Sequence, residues 1–133
     1  VCLYKCNQIA QKYTDLLTNN YIICNDNSLT TEVFNGLPGP FYKYFDEILG
    51  DKMYEIAVNC GKLKASSIYA FAVIGCELKK PEIFVGQSDG ELIKPQHCPD
   101  KFGFEPIFEP YNRNEQLHKE AFDKLFDFIN QNY

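Results

Sequence analysis

Hydrophobic and polar positions along the chain change period several times, and each change marks an element. Cys2, Cys6, Ile9, Tyr13 and Leu16 recur at steps of three and four, which predicts an amphipathic helix running to about Thr18, where Asn19-Asn20 breaks it. Tyr21-Ile22-Ile23-Cys24 is a short β-rich run that reads as a buried strand, ended by four polar residues, Asn25-Asp26-Asn27-Ser28. Asn35-Gly36-Leu37-Pro38-Gly39-Pro40 is a loop dense in chain punctuators. Pro40 suits a first helical position, and the helix it opens carries Phe41, Tyr44, Phe45 and Ile48 and stops at Gly50. A further short helix is predicted over Asp51–Val58.

From Ser66 the texture turns to strand. Ser67–Ile74 and Glu82–Gln87 flank Lys79-Lys80-Pro81 and predict an antiparallel pair, with Gly90–Ile93 as a third short strand. Lys94–Asp100 reads as a loop, and Phe104–Phe108 as a short extended piece. Between Asn114 and Asn130, Leu117, Ala121, Phe122, Leu125 and Ile129 form one apolar face with charges opposite, which predicts the last helix. The order of elements gives a mixed α/β class with helices packed on a sheet. No repeat, low-complexity tract or linker interrupts it, so residues 1–133 read as one domain.

Composition narrows the class. The 133 residues are 45% hydrophobic and 23% charged, with 11 Phe and 9 Tyr, which argues against disorder. Apolar runs such as Ile68–Ile74 fall far short of the roughly 20 residues that cross a bilayer, and no charged-then-apolar leader opens the chain, so neither a membrane span nor a secretory signal is expected. A net charge of −5 disfavours nucleic acid and acidic membranes as partners, while leaving room for a nucleotide pocket with a few local cations. The six cysteines, Cys2, Cys6, Cys24, Cys60, Cys76 and Cys98, form no CxxC and no zinc pattern with His97 or His118. They read as free thiols in a reducing, cytoplasmic setting.

Candidate chemistry is dispersed. Asp26 just past a buried strand is placed to hold Mg²⁺ or orient a water, although by composition Asn25–Ser28 also reads as a turn satisfying its own backbone. The Gly36–Pro40 loop feeds a helix N-terminus that attracts anions, and Lys43 sits in that first turn, where a lysine is otherwise simply solvated. Phe102-Gly103-Phe104-Glu105-Pro106 offers aromatic faces and a carboxylate to a base, or tucks its aromatics into the core. His118, flanked by Arg113 and Lys119, falls on the apolar side of the last helix and suits either a site or the core boundary. No Ser-His-Asp set, Walker loop, GxGxxG or HExxH occurs.

Taken in order, Lys5-Cys6, Asn25-Asp26, the block Gly36–Phe45, the block Phe102–Phe108, Arg113-Asn114 and His118-Lys119 resemble the inosine triphosphate pyrophosphatase family over nearly the whole chain. The resemblance implies a bent, mixed sheet with helices packed on it, a homodimer, and Mg²⁺-dependent (or Mn²⁺-dependent) hydrolysis of ITP, dITP or XTP to the monophosphate and pyrophosphate. By position, Asp26 matches the acidic residue that serves the metal and the attacking water, and Asn27 a substrate contact. Lys5 and Lys43 match phosphate-contacting lysines, and Phe102, Phe104 and Glu105 the base-recognition segment. Arg113 matches a lysine near the nucleotide, and His118-Lys119 a His-Arg pair that reads the six-position oxo group. The resemblance gathers Asp26, Lys5, Lys43 and His118 around one cleft. The chain departs from the family pattern in several places. It resembles a member shortened at the N-terminus, without the Thr/Ser-x-Asn-x-x-Lys phosphate loop. Asn25 stands for Glu or Asp, Glu105 for Asp, Leu117 for Ser, and Lys119 for Arg, which removes a bidentate fork. The alternative reading is a catalytically weak relative that serves as a purine-nucleotide-binding or dimerisation module.

Overall fold

The computed structural model describes residues 1–75, 78 and 80–132; Cys76 and Lys79 lie outside the described residues. Among the described residues four α-helices and five strands follow in the order α1 (Cys2–Lys12), β1 (Tyr21–Thr31), β2 (Pro38–Gly39), α2 (Tyr42–Leu49), α3 (Lys52–Cys60), β3 (Lys64–Gly75), β4 (Glu82–Leu92), β5 (Phe108–Pro110) and α4 (Lys119–Asn132). The strands form one sheet in the order β2-β1-β3-β4-β5. β2 pairs antiparallel with β1, Leu29 opposite Gly39, and β5 pairs antiparallel with β4, Leu92 opposite Phe108. The α/β class with helices packed on a sheet is the observed one.

Several boundaries differ from the expected ones, each for a physical reason. β1 does not end at Cys24 but continues through Asn25–Ser28 to Thr31, so these residues are strand, not turn. Ladder hydrogen bonds from the neighbouring strands outweigh their turn preference. β4 likewise runs unbroken through Gly90, with Gly86, Ser88, Gly90 and Leu92 buried and the residues between them exposed. Gly90 is there because β5 passes close: a Cβ would lie 2.1 Å from the Glu109 carbonyl oxygen. α2 starts at Tyr42, not Pro40, and ends as expected at Gly50. α4 starts at Lys119, not Asn114. Asn112 holds the preceding residues in a turn, its side chain accepting the Asn114 N–H at 3.2 Å and its carbonyl the Glu115 N–H at 2.9 Å. α1 ends at Lys12, and its buried stripe is Cys2, Cys6 and Ala10, while Tyr13 and Leu16 are exposed.

The chain forms two compact units, and β1, β3 and β4 contribute residues to both. The first comprises 1–26, 69–86 and the chain from 118. Its strands are covered on both faces, as alternation along β3 shows. On one side Ala72, with Ala70 and Ile74 against it, packs with Cys24 of β1 and with Cys2 and Cys6 of α1. On the other, Phe71 meets Phe122 of α4 edge-on, and Phe128 of α4 meets Tyr21 and Phe84. α4 lies directly on β4, for a Cβ at Gly86 would stand 2.8 Å from the Ala121 nitrogen. The second unit comprises 27–68 and 87–117. Leu29, Met53, Leu92, Phe104 and Phe108 are buried there, and α3 closes on Gly61 in the left-handed conformation.

Candidate active site

In the first unit, helix and strand periodicity converge on one charged pair. Cys2 and Cys6, one turn apart, face β1, and Lys5 lies beside them on the same side of α1. On β1, Cys24 and Asp26 are two residues apart and so share a face. Lys5 Nζ donates to Asp26 Oδ1 at 2.6 Å; the Asp26 side chain is 17% exposed and that of Lys5 47%. Lys5 stands on the wall of an open hollow of about 460 Å³, with Asn25, Cys24, Tyr4, Ile9 and Ile23 among the other lining residues. The pair thus sets a half-exposed ammonium, on the wall of the hollow, against a mostly sheltered carboxylate.

His118 belongs to the same unit but stands against Tyr69, ring centroids 6.0 Å apart, on the side of β3 that α4 covers. It precedes α4, and its carbonyl accepts the Phe122 N–H at 3.0 Å, so it caps the helix and does not lie on its apolar face. Lys119 opens α4, exposed and paired with Asp123. Lys5 and Asp26 are therefore brought together, while His118 and Lys119 occupy another part of the unit.

The remaining candidates fall in the second unit. Lys43 is exposed in the first turn of α2. Asn27 lies against the Phe102–Glu105 loop, its Nδ2 3.7 Å from where a Cβ on Gly103 would be. Phe102 is 75% exposed, and Glu105 Oε2 accepts its N–H at 3.4 Å. Phe104 is 1% exposed and packs edge-on against Tyr42 and Phe108 at 5.7 and 6.1 Å. Phe104 thus holds the loop to the core, while Phe102 is the exposed aromatic of the segment. Arg113 pairs with Glu109 at 3.4 Å.

One polar cluster escaped the sequence reading. Ser66 Oγ and Gln87 Nε2 donate to Asp89 Oδ1 at 2.6 and 3.0 Å, which pulls the Asp89 carboxyl below its ordinary range, Ser66 more than Gln87. Ser66 and Asp89 border a second open hollow, of about 440 Å³, with Thr30, Glu32, Lys64 and Tyr111 on its walls. The alternation of Gln87 and Asp89 in β4 is the available signal, hidden when one strand is ended at Gln87 and the next begun at Gly90.

Among the described residues no group of three or more His, Cys, Asp or Glu side chains gathers to hold a metal ion. Asp26 is a single carboxylate already engaged by Lys5, so the described side chains alone do not form a Mg²⁺ site, which needs several oxygen ligands. No helix among the described residues is long and apolar enough to cross a membrane. The described cysteines are free, Cys2, Cys6 and Cys24 buried, Cys60 and Cys98 exposed.

Comparison with known proteins gives the family and the fold. A family model described as the Ham1 family matches residues 1–124. An inosine triphosphate pyrophosphatase of Tuber melanosporum is 33% identical over 89 residues, covering 66% of this chain and 48% of that protein. One from Puccinia graminis f. sp. tritici is 36% identical over 89 residues, covering 65% and 45%. The chain thus spans about half the length of these curated relatives. The Ham1 protein of Staphylococcus aureus superposes with a TM-score of 0.78 at 18% identity, over 99% of this chain and 76% of that one, which shows the same fold.

Proposed function

The chain belongs to the Ham1 family, and from that premise we propose that it hydrolyses non-canonical purine nucleoside triphosphates, ITP, dITP and XTP, to the monophosphate and pyrophosphate. The observation that carries the reading is the Lys5–Asp26 contact, with Lys5 on the wall of an open hollow. A triphosphate entering there offers its own oxygens to the Lys5 ammonium. The Asp26 carboxylate, relieved of its lysine, then accepts a hydrogen bond from a water and aims it at the α-phosphorus. Phosphoryl transfer asks mainly for positioning and charge neutralisation, and the pair supplies both. Mg²⁺, when bound, would be held by Asp26 together with oxygens of the triphosphate and would neutralise phosphate charge.

By the family resemblance His118 and Lys119 take the role of donors to the 6-oxo group, although they stand on the side of the sheet that α4 covers and not on the wall of the Lys5 hollow. Inosine and xanthine present an acceptor there and adenine a donor, so fixed donors separate them. Phe102 is the stacking face, with Asn27 and Glu105 supporting its loop, and Lys43 and Arg113 are nucleotide contacts. Action as a homodimer in the cytoplasm belongs to the same proposal.

The test is a pyrophosphate-release assay on the 133-residue chain with ITP, with and without Mg²⁺, paired with calorimetric titration of ITP. Release with ITP well above that with ATP is the expected outcome. Tight ITP binding with no release would replace hydrolysis by nucleotide binding, and no binding at all would remove the assignment from this chain.

A further inference from the structure

Lys5 reaches Asp26 because α1 rests at one height along β1, and the polar contacts that fix that height come from thiols. Cys2 Sγ donates to the Cys24 carbonyl oxygen at 3.2 Å and stands 3.6 Å from that of Ala70, so a single S–H faces carbonyls of both β1 and β3. Cys6, fully buried one turn later, has its Sγ 3.9 Å from the Ile22 carbonyl oxygen. Burial raises both thiols above their ordinary range, Cys6 to about 11, so each keeps the hydrogen it donates at neutral pH. Cys2 and Lys5 are neighbours on the helix, and Cys24 and Asp26 are neighbours on the strand. The Cys2–Cys24, Cys6–Ile22 and Lys5–Asp26 contacts all join α1 to β1, and Cys2 and Lys5 are one turn apart. A slide of α1 by one residue, about 1.5 Å, would shift the root of the Lys5 side chain against Asp26 and so lower the share of time that its flexible stem keeps the 2.6 Å contact.

We propose that Cys2, seconded by Cys6, is a positioning residue: its thiol hydrogen bond to β1 sets the place of α1 at which Lys5 meets Asp26. A thiol suits the task because it packs as a small apolar group yet keeps one weak donor, so it can be buried beside alanines where a stronger polar group would need more partners. The functional meaning rests on the role proposed for Asp26, but the geometry does not, and the experiment reads the geometry alone.

A carbodiimide joins an amine to a carboxylate it touches: the reagent activates the carboxylate, Lys Nζ displaces it as the urea, and an amide remains. In the full chain, formation of the Lys5–Asp26 amide is quantified by peptide mass spectrometry, with the Lys124–Glu120 and Lys119–Asp123 pairs of α4 as internal references. Cys2→Ala is expected to lower the Lys5–Asp26 yield about twofold against those references, the factor implied by loss of a hydrogen bond at the weak end of the range. Cys2→Ser, which keeps a donor, is expected to restore most of it. An unchanged yield in both Cys2→Ala and the double variant with Cys6→Ala would overturn the proposal. If Cys2→Ala does not fold, Cys2→Val, which fills the space without a donor, is read in the same way. The Raman S–H stretch of the unmodified chain adds a reading without mutation: a band at the hydrogen-bonded position supports the assignment, and only free-thiol bands would overturn it. None of these measurements needs a nucleotide, so inactivity of the chain would leave them standing.

Discussion

Lys5 Nζ stands 2.6 Å from Asp26 Oδ1, the lysine on α1 and the aspartate in the middle of β1, the two brought together by the thiol- and alanine-lined contact between helix and strand. The carboxylate is mostly sheltered and the ammonium about half exposed. That asymmetry leaves the lysine free to turn toward an incoming anion while the aspartate stays in place.

Asp26→Asn keeps the shape of the side chain and removes its charge. Pyrophosphate release from ITP is expected to fall by at least about 100-fold, the lower end of what a positioned base contributes. The melting temperature should change little. A wild-type rate in this variant would remove Asp26 from the reaction.

His118→Ala deletes a proposed donor to the 6-oxo group while sparing the phosphate contacts. The ITP-to-ATP ratio of kcat/KM is expected to drop about five- to tenfold, as for one hydrogen bond. The loss should appear mainly with ITP. Equal losses for both nucleotides would point instead to a role in holding the start of α4.

Phe104 and Phe102 sit two residues apart with opposite duties. Phe104→Ala opens a cavity between Tyr42 and Phe108 and is expected to cost about 3–5 kcal/mol in urea unfolding. Phe102→Ala, at a position 75% exposed, is expected to stay within about 0.5 kcal/mol and to raise the Kd for ITP.

Alkaline pH isolates Cys6. Its folded pKa, raised to about 11 from an ordinary 9.0 chiefly by burial, lies above the unfolded one. The stability it contributes is therefore full below pH 9 and is lost as pH rises through about 11, because the unfolded thiol ionises first. Urea midpoints measured from pH 8 to 11 should decline, and Cys6→Ala should decline less over the same interval. Parallel curves would contradict this.

Gly90→Ala is expected to destabilise by about 1–3 kcal/mol or more, since its Cβ would meet the Glu109 carbonyl at 2.1 Å where β5 crosses β4. Thermal unfolding reads this directly. Gly36→Ala is the contrast: nothing lies within 4 Å of its Cβ, and only its φ of +96° opposes the change.

What the amino-acid order determined by itself was set by local rules and by the sequence of blocks. The 3.6-residue periods placed α2 and α4, the β-rich runs placed the cores of β1, β3 and β4, and the spacing of the Gly36–Phe45 and Phe102–Phe108 blocks pointed to the family. What only the tertiary structure decided concerns residues whose local preference loses to their neighbours. Asn25–Ser28 prefer a turn, yet β1 runs straight through them because its backbone groups are satisfied by ladders from distant strands. Asn114–Leu117 fit a helical period, yet Asn112 holds the chain before it in a turn, and so His118 caps α4. Two phenylalanines in one loop are equivalent by composition, and Tyr42 and Phe108 select Phe104 to be buried. The Lys5–Asp26 pair lies in the same category: each residue type was visible, but their contact is fixed by the packing of one helix face on one strand face, and no one-dimensional pattern carries that distance.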